Sequence, residues 1–136
     1  MIRTGDFSRT CILVVDGSED SRFLLAKICL GKLCFQVHLA SSAAEALDWL
    51  QEHIPRLILL DLHLPDMPGL EFSRRLRQVP LWQDIPIIGI TSLLLPEDYS
   101  IFPAAGLTEF VVKPFDVTQL VSSIRRLLDP GPPADN

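Results

Sequence analysis

The chain has 136 residues, 48% of them apolar and 21% charged, with a formal charge of −5. That is the size and composition of one ordinary globular domain, and it excludes a disordered chain. The acidic balance excludes non-specific binding to a nucleic-acid backbone as the main activity. No apolar run approaches the roughly 18 residues that a membrane span requires. Met1-Ile2-Arg3-Thr4-Gly5-Asp6 lacks the apolar core of a secretory signal. Cys11, Cys29 and Cys34 therefore read as reduced thiols of a cytoplasmic protein, at a spacing that fits no zinc pattern.

Residues 1–9 are polar and unpatterned, a short arm. Cys11-Ile12-Leu13-Val14-Val15 is a continuous apolar run that ends in a carboxylate, Asp16. In Gly17-Ser18-Glu19-Asp20 the serine is placed to cap a helix. From Asp20 to Leu30 the apolar positions Phe23, Leu24, Ala26, Ile28 and Leu30 suit that helix, and Gly31 suits its exit. Phe35 to Ala40 alternates as a strand near a sheet edge. Ser42 and Glu45 form a capping box before a helix with Ala43, Ala46, Leu47 and Leu50 on one face.

Leu57-Ile58-Leu59-Leu60 suits a strand buried on both faces. Asp61 follows it at once, and then come the loop residues Pro65, Pro68 and Gly69. Gly69 to Val79 forms a shorter helix. Ile85 to Ile90 is a fourth strand, with Pro86 tolerable only near its start and Thr91 and Ser92 at its exit. Pro96 can open a helix that Pro103 and Gly106 keep short. Phe110-Val111-Val112 is a fifth strand closed by Lys113-Pro114. Asp116 caps a last helix carrying Val117, Leu120, Val121, Ile124, Leu127 and Leu128. Pro130 stops it.

Strand and helix alternate five times, with strands too apolar for a one-sided sheet. The pattern predicts an α/β fold with a five-stranded parallel sheet covered on both faces. This is the flavodoxin-like (βα)5 doubly wound architecture with strand order 2-1-3-4-5. The folded region is expected over 10–129, with the arm at 1–9 and a tail or linker stub at 130–136.

In that order the carboxyl ends of strands one, three, four and five are neighbours. They carry Asp16, Asp61, Thr91 with Ser92, and Lys113. Taken singly, the aspartates and the threonine read equally well as turn formers, and the lysine as a partner for any surface acid. Together they make a kit for phosphoryl chemistry. Two carboxylates can hold a hydrated magnesium ion, an ammonium and a hydroxyl can hold phosphoryl oxygens, and one carboxylate can act as nucleophile. Asp61 is the better nucleophile because it leaves the central strand into a constrained loop, which makes Asp16 the metal ligand.

The runs Ile12-Leu13-Val14-Val15-Asp16, Leu59-Leu60-Asp61-Leu62-His63-Leu64-Pro65-Asp66-Met67-Pro68-Gly69, Ile90-Thr91-Ser92 and Val111-Val112-Lys113-Pro114-Phe115 resemble the receiver domain of bacterial two-component response regulators, over about Thr10 to Leu128. The resemblance implies that Asp61 is the phosphoacceptor, charged by a sensor histidine kinase or phosphotransfer protein. It implies that Asp16 belongs to an acidic metal pocket with the backbone carbonyl of His63, and that Lys113 binds phosphate. Thr91 and Phe110 would be the switch pair. An output protein would bind the face formed by the fourth helix, fifth strand and fifth helix. Direct nucleic-acid binding and membrane attachment are not expected, and self-phosphorylation and self-dephosphorylation would be its only catalysis.

One departure weakens the magnesium expectation: the family carries a second acid directly after the Asp16 position, and this chain has Gly17. Glu19 or Asp20 could replace it only if the loop folds back. Leu93 stands where many relatives have a polar residue near the attacking water, which suggests slow loss of phosphate. The alternative is a pseudo-receiver, an interaction module that works without phosphorylation. A third reading, an aspartate-nucleophile hydrolase, would want a second Asp two residues after Asp61, where this chain has His63. His38 and His53 have no site to join. No effector region follows the last helix, which fits either a stand-alone receiver or a piece of a longer protein.

Overall fold

The computed structural model describes residues 11–33 and 35–128. The 1–9 arm, Cys34 and the 130–136 tail lie outside the described residues. Five parallel strands, β1 (Cys11–Val15), β2 (Gln36–Ala40), β3 (Leu57–Asp61), β4 (Ile87–Thr91) and β5 (Glu109–Val112), form one sheet in the order 2-1-3-4-5, as the sequence predicts. The helices are α1 (Glu19–Lys27), α2 (Ala43–Leu50), α3 (Gly69–Arg77), α4 (Asp98–Ala104) and α5 (Val117–Leu128).

The continuous apolar strands are explained by two cores, one on each face. Leu13, Val15, Ile58 and Leu60 point into the layer under α2 and α3 with Phe72, Leu76 and Phe102. The alternate residues Ile12, Val14, Leu57 and Leu59 join Leu25 of α1, Cys29 just beyond it, and Leu120 and Ile124 of α5 on the other face. A strand whose successive side chains face two cores has no polar position to offer until it leaves the sheet. Asp16 and Asp61 stand at those points.

The first helix departs from its sequence reading. After Lys27 the chain widens into a π-helical turn, Ile28–Lys32, with Gly31 inside it and not at its exit. The buried residues are Leu25, Ile28 and Cys29, whereas Phe23, Leu24 and Leu30 are 54%, 47% and 55% exposed. Leu25, Ile28 and Cys29 are themselves spaced as one helical stripe, and it is this stripe that reaches the core. Burial pushes the Cys11 and Cys29 thiols up to about 11 and about 12, so both stay protonated packing groups.

The caps hold with one rearrangement. The Ser18 hydroxyl accepts from the Ser21 N–H, Ser42 Oγ accepts from the Glu45 N–H, and Asp116 Oδ1 accepts from the N–H groups of Thr118 and Gln119. The Glu45 carboxylate, however, receives the N–H and hydroxyl of Ser41, one residue before the expected box partner. Strand β4 starts at Ile87, leaving Pro86 outside it with its carbonyl accepting from Ile58 N–H. Pro103 lies inside the seven-residue α4. His38 and His53 both stack on Trp49, at centroid distances of 4.7 and 4.5 Å.

Candidate functional site

Register brings the strand ends together. Val15 pairs with Leu60, Asp61 with Ile90, and Thr91 with Val112, so the residues that leave each strand emerge on one edge of the sheet. Backbone bonds continue past the strands: Asp16 N–H donates to the Ala40 carbonyl, Leu62 N–H to Ile90, and Lys113 N–H to Thr91 at 2.7 Å. Four loops are therefore held side by side by main-chain geometry alone.

Asp16 is fully buried. Its Oδ1 accepts the Ser18 N–H at 2.8 Å, and its Oδ2 lies 3.5 Å from the Lys113 ammonium. Asp61, 8% exposed, accepts the His63 N–H on Oδ1 at 3.1 Å. Burial pushes the Asp61 carboxyl above its ordinary range. The nearby Asp16 carboxylate pushes it further the same way, while the His63 N–H and the Lys113 charge pull against them. Of the four expected groups, Asp16, Asp61 and Lys113 stand as one cluster.

Thr91 is buried at its edge, but its hydroxyl is turned to its own loop, donating to the Leu93 carbonyl and accepting the Leu93 N–H. Phe110 is half-buried and meets Tyr99 and Phe102 edge-on, at 5.5 and 5.2 Å between ring centres. Between the loops after β3 and β4 runs a groove of about 680 Å³, lined in part by Leu62, Met67, Leu70, Thr91, Leu93 and Leu95.

Gly17 is more than a missing acid. A Cβ there would stand 3.1 Å from Pro65 Cδ and 3.8 Å from the Ser41 carbonyl, so a side chain would press on the Pro65 ring. Glu19 and Asp20 are exposed in the first turn of α1. Among the described residues, no group of three or more His, Cys, Asp or Glu side chains is placed to hold a metal ion. The two carboxylates that remain still meet the least demanding form of a magnesium site, one in which water supplies most of the ligands.

Three contributors have no role in the motif reading, although Asp66 and Gly69 lie within the run at 59–69. Asp66 reaches across to α2, accepting the N–H groups of Ala43 and Ala44 at 3.0 and 2.9 Å, and these bonds hold its carboxyl below the usual range. Gly69 lets α3 start directly against the Asp61 carbonyl. Arg22, half-buried on α1, donates Nη1–H to the Asp16 carbonyl at 2.8 Å. The first could have been suspected from an acidic residue in a loop facing a helix start. The others carry no sequence signal beyond residue type.

Comparison with known proteins agrees with this fold. A family model described as the response regulator receiver domain matches residues 12–125. The chain is 35% identical over 94 residues to the response regulator Rre1 of Synechocystis, covering 69% of this chain and 41% of that protein. It is 32% identical over 122 residues to an uncharacterized 14.6 kDa protein of Leptolyngbya boryana, covering 90% and 92%. The chemotaxis response regulator CheY4 of Vibrio cholerae superposes with a TM-score of 0.80 at 28% identity, over 88% of this chain and 98% of that one. The chain thus spans less than half the length of Rre1 and nearly all of the other two.

Proposed function

Because this chain belongs to the response regulator receiver domain family of two-component signalling, we propose that Asp61 accepts a phosphoryl group from the phosphohistidine of a partner kinase or phosphotransfer protein. The observation that carries the reading is the shared pocket of Asp61, Asp16 and Lys113, in which a buried carboxylate faces a cation 3.5 Å from its acidic neighbour.

In the proposed step, an oxygen of the ionised Asp61 forms a bond to phosphorus as the phosphorus–nitrogen bond of the donor breaks. The imidazole nitrogen leaves with the electron pair. The His63 N–H holds Asp61 Oδ1 in place, which leaves Oδ2 as the attacking atom. Lys113 neutralises the transferred oxygens. Thr91 gives up its bonds to Leu93 and turns to the phosphoryl group, and Phe110 follows it inward. That change alters the face formed by α4, β5 and α5, where the output partner binds. Asp16, Asp61 and the His63 carbonyl would hold magnesium, which when bound neutralises phosphoryl oxygens. With Gly17 in place of an acid its affinity is low. The residues serve a signalling switch, and its working location is the cytoplasm.

Incubation with phosphoramidate and rising magnesium, followed by intact mass, tests the proposal. One phosphoryl group is expected on the wild type and none on Asp61→Asn. Failure of the wild type at every magnesium level would leave the second reading, an interaction module that works without phosphorylation. The absence of an acid at Gly17, with Pro65 packed 3.1 Å from where a Cβ would stand, is the observation that favours that reading.

A further inference from the structure

The loop between β3 and α3 closes on itself before it reaches outward. His63 and Pro68 form an antiparallel bridge across it, and the Gly69 N–H donates to the Leu62 carbonyl at 2.9 Å. With its base closed in this way, and with Pro65 and Pro68 fixing two φ angles, the loop is stiff. Side-chain bonds tie it to its surroundings at two places. At the base, the His63 N–H donates to Asp61 Oδ1 at 3.1 Å. At the tip, Asp66 accepts the Ala43 N–H on Oδ1 at 3.0 Å and the Ala44 N–H on Oδ2 at 2.9 Å.

The bonds at the tip are charge-assisted, and they meet first-turn N–H groups of α2 that have no partner within the helix. The adjacent cap leaves them free, since Ser42 Oγ takes the Glu45 N–H instead. One residue before Asp66 stands Pro65, whose Cδ lies 3.1 Å from where a Cβ of Gly17 would be. The carboxylate that draws the tip onto α2 therefore also seats Pro65 against the loop after β1, beside Asp16. Three loops of the rim meet at this one side chain. Resting on the phosphoacceptor reading above, we infer that Asp66 is a positioning residue for phosphoryl uptake. By holding the tip on α2 it sets where the stiff loop stands, and so where the His63 N–H holds the Asp61 carboxylate relative to Asp16. Both of its oxygens are engaged within the chain, so it acts through the loop and not on the phosphoryl group.

The test separates positioning from stability. Asp66→Ala removes both bonds, and Asp66→Asn keeps one acceptor oxygen. Ser42→Ala removes the neighbouring cap, so it weakens α2 without touching the loop after β3. At a temperature where all variants are folded, phosphoramidate uptake read by intact mass should fall roughly tenfold in Asp66→Ala. It should recover in part in Asp66→Asn and match wild type in Ser42→Ala. In amide NMR spectra the His63 N–H should shift upfield in Asp66→Ala as its bond to Asp61 lengthens, return toward its wild-type position in Asp66→Asn, and stay in place in Ser42→Ala. A merely structural role would lower uptake in Asp66→Ala and Ser42→Ala alike and leave the His63 amide where it is. That result, or unchanged uptake in Asp66→Ala, would overturn the inference. A wild type that never gains a phosphoryl group would overturn the phosphoacceptor reading instead, and the His63 amide would still decide whether Asp66 positions the loop.

Discussion

Gly69→Ala sets two opposing effects against each other at the site itself. A methyl at Gly69 would stand 2.6 Å from the Asp61 carbonyl oxygen and 2.6 Å from Leu62 Cα, both main-chain atoms that cannot rotate away. Restoring ordinary contact at about 3.5 Å requires α3 and the exit of β3 to part by roughly 1 Å. Overpacking of this kind costs about 1–3 kcal/mol. Against it stands the helix propensity of alanine over glycine, at most about 1 kcal/mol and less in a first turn. The net is a loss of about 1–2 kcal/mol, a fall in Tm on the order of 3–8 °C for a domain of this size. Gly31→Ala is the control: nothing lies within 4 Å of a Cβ there, so only the propensity acts, and a gain of about 0.5–1 kcal/mol is expected. Because the displaced atoms carry Asp61, phosphoryl uptake should fall as well, by up to about 100-fold if the carboxylate moves a full ångström. Thermal unfolding by circular dichroism and uptake by intact mass read both quantities. A Gly69→Ala variant as stable as wild type with unchanged uptake would refute the reasoning, since it would show that α3 does not fix the position of Asp61.

Asp61→Asn should stabilise the fold at neutral pH. A carboxyl raised above its ordinary 3.8 binds its proton more tightly when folded, so its contribution is intact below the ordinary range and is lost as pH rises through the folded value. The difference between the melting temperatures of the Asp61→Asn variant and the wild type should therefore vanish on acidification, and a constant difference would contradict the assignment. The same shift requires phosphoryl uptake to rise with pH through a midpoint above the ordinary carboxylate range. Lys113→Met leaves the fully buried Asp16 without its cation, at a cost of about 1–3 kcal/mol in chemical denaturation. It should also move that uptake midpoint higher. Gly17→Asp should raise magnesium affinity about tenfold or more in an amide-shift titration, provided the Pro65 ring yields the few tenths of an ångström that its 3.1 Å contact demands.

The sheet was legible because burial on both faces leaves an unmistakable trace: Ile12 to Val15 and Leu57 to Leu60 have no polar residue to break the run, and the two cores take alternate residues of each. The caps were legible because a serine or aspartate before a helix acts on donors two or three residues away. The first helix misled because Phe23, Leu24 and Leu30 are apolar without being inside, and periodicity cannot rank two apolar stripes when a π turn follows. The site was legible in its membership and not in its fastening. Asp16, Asp61 and Lys113 follow from strand ends, but the bond from Asp66 to α2 spans 22 and 23 residues and has no period. That Pro65 packs against Gly17 is a fact of three dimensions only.

The fastening also assigns the moving part of the proposed switch. The loop after β3 is secured at both ends, by Asp66 on the N–H groups of Ala43 and Ala44 and by the direct contact of Gly69 with the Asp61 backbone. The helix it leads into is anchored in turn, with Ser73 donating to the Ala105 carbonyl at 2.7 Å and Arg77 clasping Gly106. The loop after β4 has no such hold. Its side-chain bonds are those of the Thr91 hydroxyl to Leu93 and of Asp98 to the Leu95 N–H, while Leu93 and Leu95 stand 63% and 41% exposed over the apolar groove. In the proposed switch a phosphoryl group on Asp61 would compete for the Thr91 hydroxyl and so withdraw one of those two restraints. Once it is withdrawn, burial of the two leucines in the groove favours closure by about 1–3 kcal/mol, enough to shift a two-state loop about fivefold or more. In the proposed switch the loop after β3 would therefore be the frame and the loop after β4 the part that answers.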